Sequence, residues 1–170
     1  SRELFELREH QHAGHANDFL TVGGMGYASQ IALTIALQHP EQRIWCLDGD
    51  GAVLMHMGGM AIIANSEANN LVHVVLNNGA HDSVGGQPTV GLSIDIAKIA
   101  SAMGYKQTYT VTSNTELTKV LNQIKEASGP ILINILVRKG NRPDLGRPTT
   151  TPIQNKQAFM AEILKTTDEA

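Results

Sequence analysis

Three apolar runs leave this chain few folds to choose from: "RIWCLDGDG" at 43–51, "LVHVVLN" at 71–77 and "PILINILV" at 130–137. Each is short, and turn-forming residues close it. Such runs are strands buried on both faces, as in a parallel sheet covered by helices. A further alternating run, "YKQTYTV" at 105–111, adds a strand. Helix-length segments separate these runs, and strands alternating with helices indicate βαβ units. The expected fold class is therefore α/β: a three-layer, mostly parallel sheet with helices on both faces.

The helical segments follow from the same pattern. Leu4, Phe5 and Leu7 place a short helix over 3–9, followed by a loop, "QHAGHAND", and a brief extended segment, "FLTV". Apolar spacing predicts helices over 25–38, 52–69, 92–103 and 115–127, although Gly58 and Gly59 weaken the second. Ser113 and Glu116 have the spacing of a capping box at the start of the last. The segment 138–153 reads as an irregular, basic, proline-rich crossing before an amphipathic helix over about 154–165. At 170 residues, 1–170 is expected to be a single domain.

Composition removes several functional classes. With 42% apolar and 17% charged residues, a net charge of −3 and a pI near 6.1, nothing favours nucleic acid or an anionic membrane as partner. No apolar run approaches a membrane span, and the N-terminal segment is charged and amphipathic. The single Cys46, in an apolar strand, reads as an inert core thiol in a reducing compartment, which makes the expected location cytoplasmic. The chain opens Ser-Arg-Glu without an initiator Met, as a domain of a longer polypeptide would.

In an open parallel sheet, ligands bind beyond the carboxyl ends of the strands. Two unusual loops lie there. "DGDGA" at 48–52 closes one strand and opens a helix, so the amides near Gly49, Gly51 and Ala52 can approach a phosphate. Asp50 among those amides would repel an anion unless a divalent cation lies between them. The second loop, "LNNGAHDSVGGQPT" at 76–89, begins with two side-chain amides, whose oxygens are hard ligands suited to such a cation. "GDG" or "NNG" alone is an ordinary turn signal. The pair, each ending a buried strand with one helix between, is far more specific, since adjacent strand ends bring Asp50 and the Asn pair together.

The two motifs in this order resemble the thiamine-diphosphate-binding signature of thiamine-dependent enzymes. "TVGGMGYASQIALTIAL" is similar to the "GSMG" loop and helix that precede that signature, and "NNGAHDSVGGQPTVG" looks like the phosphonopyruvate decarboxylases. Sulfopyruvate decarboxylases are similar but resemble this chain less at His81-Asp82. The resemblance covers about 18–150 and implies the diphosphate-binding (PP) domain of that fold. It implies thiamine diphosphate and Mg²⁺ as cofactors, with Asp50, Asn78 and the carbonyl of Ala80 as metal ligands. Amides around Gly49, Gly51 and Ala52 would cradle the diphosphate. Met25 would wedge beneath the thiazolium, and the Gly23 carbonyl and Met25 N–H, across Gly24, would hold the aminopyrimidine. Asn77 would support the loop or touch a phosphate.

The implied reaction is non-oxidative decarboxylation of a small-molecule 2-oxo acid, phosphonopyruvate first. His81, Asp82, Ser83 and Gln87 lie just past the metal ligands, where substrate should approach. An imidazole and a hydroxyl there can bind a phosphonate or move a proton. Asp82 would orient His81 or cap the next helix. The activating Glu of this family comes from a separate pyrimidine-binding (PYR) domain, for which this chain has no room. A PYR domain or α subunit is thus the expected partner, in a homo- or hetero-oligomer.

Other candidates carry less. His56 reads as a packed helix residue or one reaching the phosphate end. His10, His12 and His15 lack the spacing of a zinc pair. His39 begins a turn, and His73 sits in a buried strand. Arg138, Arg142 and Arg147 are surface charge, contacts to a missing domain, or ligands of a phosphonate. The alternatives are a sulfopyruvate decarboxylase β subunit and, in another class, a non-catalytic nucleotide-binding module, although "GDG" lacks the G-x-G-x-x-G of dinucleotide folds.

Overall fold

The computed structural model describes residues 1–167, which fall into two compact units: 25–140, and 1–24 together with 141–170 as far as they are described. The larger unit is built on a four-stranded, all-parallel sheet. Its strands are β1 (Ile44–Gly49), β2 (Leu71–Asn77), β5 (Gln107–Val111) and β6 (Ile131–Leu136), in the order β1-β2-β6-β5. A two-stranded antiparallel ribbon, β3 (Ala80–His81) with β4 (Gln87–Pro88), follows β2. The helices of this unit are α2 (Ala28–Gln38), α3 (Asp50–Met55), α4 (Gly58–Ala64), α5 (Ile96–Met103) and α6 (Asn114–Gln123).

The period-two geometry of strands divides the core. Leu71 and Val75 of β2 and Leu132 of β6 face a cluster containing Ala32, Leu33 and Ala36 of α2, Met60 and Ile63 of α4, and Ala97 and Ala100 of α5. Val72, Val74, Ile131 and Ile133 face the other way, against Val120 of α6 and Ile124 just beyond it. Helices therefore cover both faces of a parallel sheet, as the apolar strands require. The cover thins at the β1 edge: Trp45 and Leu47, in register with Val72 and Val74, remain about half exposed.

The apolar first face also holds a polar seam. His73 and Cys46 are register partners, and the His73 Nδ1 lies 3.2 Å from the Tyr105 hydroxyl. Its Nε2 is 3.5 Å from Asp48 Oδ2, while Asp48 Oδ1 accepts the Gly49 N–H at 3.1 Å. Burial and the neighbouring Asp48 push the Cys46 thiol far above its ordinary range, so it stays protonated.

Several elements depart from the sequence expectations for identifiable reasons. The helix expected over 52–69 is two helices, broken at His56 (φ −134, ψ 40). Beside the break, Gln30 of α2 lies against Gly59 and donates to its carbonyl at 3.1 Å. The helix expected from Leu92 starts at Ile96, because the Asp95 carboxylate accepts the Lys98 N–H at 3.0 Å as an N-cap. The expected cap at Ser113 is present: its hydroxyl accepts from Glu116 N–H, and Glu116 reaches back to Thr112 N–H at 2.8 Å.

In the smaller unit, α1 (Arg2–Gln11) and α7 (Pro152–Thr167) are the regular elements. α7 begins ahead of the expected residue, with Pro at its first position and Thr151 and Gln154 bonded reciprocally as a capping box. The "FLTV" segment forms no strand. Instead the buried Asn155 amide holds it, accepting Leu20 N–H at 2.8 Å and donating to the carbonyl of Asp18, just before the segment, at 2.7 Å.

Candidate functional site

The site lies in the larger unit, where β1 and β2 end side by side. Gly49 pairs in register with Leu76, so the chain leaves β1 at Asp50 beside Asn77 and Asn78 leaving β2. Asp50 opens α3 and is only 1% exposed, yet it faces no cationic side chain in any ion pair found among the described residues. Its Oδ1 lies 3.4 Å from the Asn78 N–H, and its Oδ2 accepts from the Thr89 hydroxyl. Thr89 is itself held, accepting the Gly91 N–H at 3.0 Å.

Asn77 is wholly buried and braces the loop. Its amide donates to the Gly91 carbonyl at 2.8 Å and accepts the Gly79 N–H at 3.2 Å. Asn78 is half-buried beside Asp50, with its Oδ1 accepting the Ala80 N–H at 3.0 Å and its Nδ2 donating to Asp82 Oδ2 at 2.7 Å. Ala80 is buried in β3, paired with Pro88. Thus Asp50, Asn78 and Ala80 come together at one sheet edge, while Asn77 holds the backbone between them.

Two glycines show how closely this edge is built. A Cβ on Gly91 would lie 2.5 Å from Asp50 Oδ2 and 2.9 Å from Asn77 Oδ1, so any side chain there would collide with both motifs. A Cβ on Gly51 would meet the His81 ring at 2.4 Å, which places the imidazole directly over the GDG turn. Among the described residues, none other than its neighbours along the chain comes within 4 Å of a Cβ built on Gly49, which leaves space before its backbone. A buried carboxylate, an amide oxygen and nearby backbone form a hard-oxygen donor set, suited to a divalent cation such as Mg²⁺. The glycine turn at the start of α3 offers amides to an anion.

His81, Asp82, Ser83 and Gln87 all fall on the β3–β4 ribbon, with Asp82–Val84 as a 3₁₀ turn at its tip. His81 is half-buried; Ser83 and Gln87 are exposed. Asp82 neither orients His81 through a hydrogen bond that we find nor caps α5, whose cap is Asp95. Its Oδ2 accepts from Asn78 Nδ2 and from Gly140 N–H, each at 2.7 Å. Lys139 adds a strap to the same ribbon, donating to the Gly86 carbonyl at 2.5 Å.

Met25 is half-buried and belongs to neither core cluster, and Ala52 lies one residue beyond the GDG turn. Gly23 and Gly24 belong to the smaller unit, where Gly23 has φ +79. His56 occupies the helix break and packs on Tyr27, ring centroids 4.3 Å apart. Arg142 pairs with Glu6 inside the smaller unit, while Arg138 and Arg147 are exposed. In the N-terminal histidine group, His15 stacks on Phe5 at 4.0 Å and pairs with Glu9 at 2.5 Å. Thr89, Gly91 and Lys139 also belong to the site and carry no motif in the sequence. Thr89 and Gly91 stand close after the ribbon, but nothing local marks a Thr as the partner of a carboxylate far back in the chain.

Comparison with known proteins places the chain in a family. Residues 4–135 match the thiamine pyrophosphate enzyme, C-terminal TPP binding domain family. The chain is 39% identical over 164 residues to a phosphonopyruvate decarboxylase of Streptomyces viridochromogenes, covering 96% of this chain and 40% of that protein. It is 33% identical over 141 residues to the sulfopyruvate decarboxylase subunit beta of Methanothermobacter thermautotrophicus, covering 83% of this chain and 70% of that subunit. A solved structure from Mycobacterium smegmatis, assigned to the thiamin diphosphate-dependent enzymes, superposes with a TM-score of 0.58 at 26% identity, over 69% of this chain and 23% of that one. The chain thus spans about 40% of the length of the curated phosphonopyruvate decarboxylase it matches.

Proposed function

The chain belongs to the family of thiamine pyrophosphate enzyme C-terminal TPP-binding domains, and from that premise we propose that it is the diphosphate-binding part of a Mg²⁺-dependent 2-oxo-acid decarboxylase. Its substrate is phosphonopyruvate, converted to phosphonoacetaldehyde and CO₂. The observation that carries this reading is the meeting of Asp50 and Asn78, with Asn78 N–H 3.4 Å from Asp50 Oδ1 at adjoining strand ends.

The residues fit the group they would hold. Asp50, Asn78 and the Ala80 carbonyl supply hard oxygens to Mg²⁺. The amides of Gly49, Gly51 and Ala52 take the diphosphate, and the buried setting of Asp50 strengthens its attraction for the cation. When bound, the cofactor supplies the electron sink for carbon–carbon cleavage. Met25 shapes the surface beneath its ring. His81 over Gly51 stands where it can move a proton to the product carbon or bind the substrate's anionic group, with Ser83 and Gln87 beside it on the ribbon. Lys139, strapped to the same ribbon, brings positive charge to the approach of a dianion.

A PYR-type domain or α subunit completes the site and contributes the activating Glu, consistent with relatives named as beta subunits. No described helix is long and apolar enough to cross a membrane, and the buried free thiol of Cys46 fits a cytoplasmic setting. A second reading, a sulfopyruvate decarboxylase β subunit, draws on the chain's 70% coverage of a relative named as a beta subunit. The complete enzyme, assayed with phosphonopyruvate and sulfopyruvate side by side, separates them. A higher kcat/KM for phosphonopyruvate, lost on removing Mg²⁺, supports the first reading; a preference for sulfopyruvate establishes the second.

A further inference from the structure

Asp82 follows β3 directly, at the start of the 3₁₀ turn. Its Oδ2 accepts Asn78 Nδ2–H at 2.7 Å from one side and Gly140 N–H at 2.7 Å from the other. Asn78 Oδ1, at the other end of the same amide, accepts Ala80 N–H at 3.0 Å. The two ends of a side-chain amide are nearly equal in shape, so only hydrogen-bond partners decide which end is oxygen. Here two independent partners impose one answer. A carboxylate can only accept, which demands the nitrogen end at Asp82. A backbone N–H can only donate, which demands the oxygen end at Ala80.

The reversed amide would set oxygen against carboxylate and N–H against N–H, losing a charge-assisted bond and adding repulsion. In the observed orientation the Asn78 oxygen, with one lone pair engaged by Ala80 N–H, retains a second for another partner. Asp82 is not itself adjustable. Gly140 N–H, just past β6, holds the same oxygen, and Lys139 straps the ribbon through the Gly86 carbonyl at 2.5 Å.

We propose that Asp82 is a positioning residue that locks the Asn78 amide with its oxygen presented as a ready metal ligand. Asp82 acts on the cation through Asn78 rather than on substrate. The proposal rests on the reading of Asp50 and Asn78 as the Mg²⁺ site. It also explains why a carboxylate is tolerated where a dianionic substrate should approach: both of its neighbours on Oδ2 are donors, and its charge is directed at them.

The test uses the complete enzyme and follows the Mg²⁺ concentration that half-saturates thiamine-diphosphate binding, read by calorimetry, together with the melting temperature without cofactor. Asp82→Ala should raise that concentration by about 10- to 100-fold, the usual cost of losing a group that orients a metal ligand. Asp82→Asn keeps an acceptor oxygen for both donors and should restore most of the affinity. The sign then reverses in an Asn78→Asp background, where two carboxylates would face each other: there Asp82→Asn should strengthen Mg²⁺ binding relative to Asn78→Asp alone. A merely structural Asp82 would lower the melting temperature and leave the Mg²⁺ dependence in place. That result, or no sign reversal, overturns the proposal. If the unmodified enzyme binds thiamine diphosphate equally well without Mg²⁺, it is the underlying metal-site reading that fails.

Discussion

The loop from Asn77 to Thr89 contains two regions made to different standards. Asn77 and Ala80 are buried, and Asn77, Asn78 and Thr89 are tied by hydrogen bonds to Gly91, Gly79, Ala80 and Asp50. Ser83, Val84, Gly85, Gln87 and Pro88, a few residues away, are exposed at the tip of a ribbon with two residues in each strand. The first region inherits its rigidity from β2, whose side chains are core residues on both faces. The second is attached through Asp82, Lys139 and its own short ladder. A site that must grip a cation and a diphosphate in one geometry needs the first kind of support. A surface that selects among 2-oxo acids can be changed residue by residue on the second kind without disturbing the grip.

Substitutions can break or sharpen this contrast. The largest effect is expected at His81, which belongs to the ribbon but leans over Gly51 of the rigid edge. His81→Ala should lower turnover of phosphonopyruvate by about 100-fold, the lower range for loss of a proton-transfer group, while thiamine-diphosphate affinity changes little. Kinetics paired with a binding titration reads both, and the opposite pattern would make His81 structural. A smaller effect is expected at Asn77. Asn77→Ala strands the buried Gly91 carbonyl and the half-buried Gly79 N–H, and should cost about 2 kcal/mol in urea unfolding. A cost near zero would show that the rigid half is less tightly built than its hydrogen bonds suggest. The smallest belongs to exposed Ser83, where Ser83→Ala should change stability by less than about 0.5 kcal/mol. Any effect there should appear in KM alone.

How much of this was legible beforehand varies with the range of the interactions involved. β2 is found over 71–77, where the apolar run lies, because a doubly covered strand is buried at nearly every residue, all but Leu76 here. The cap at Ser113 was legible because it is local. The late start of α5 depends on one side chain, Asp95, competing with an apolar pattern that continues across it, and the apolar pattern likewise runs on through the break at His56. "FLTV" has the composition of a strand, yet its partner is the amide of Asn155, far along the chain.

The candidate site divides in the same way. Asp50 and Asn78 were readable because each ends a strand, and parallel neighbours must end together. Thr89 and Gly91 were not, since their part comes from packing on Asp50 and Asn77 across a loop. The chemistry of Asp82 is evident from its place in the sequence, but its bond to Gly140 exists only because β6 returns the chain beside the ribbon.

The central claim is that Asp50 and Asn78 jointly hold a divalent cation that in turn holds thiamine diphosphate. The most direct measurement is a calorimetric titration of the complete enzyme with thiamine diphosphate, with and without Mg²⁺, for the unmodified protein and for Asp50→Ala and Asn78→Ala. Tight, Mg²⁺-dependent binding is expected in the unmodified protein, and a loss of at least about 10-fold in affinity in each variant. Equal affinity in all three proteins, or binding indifferent to Mg²⁺, would contradict the account.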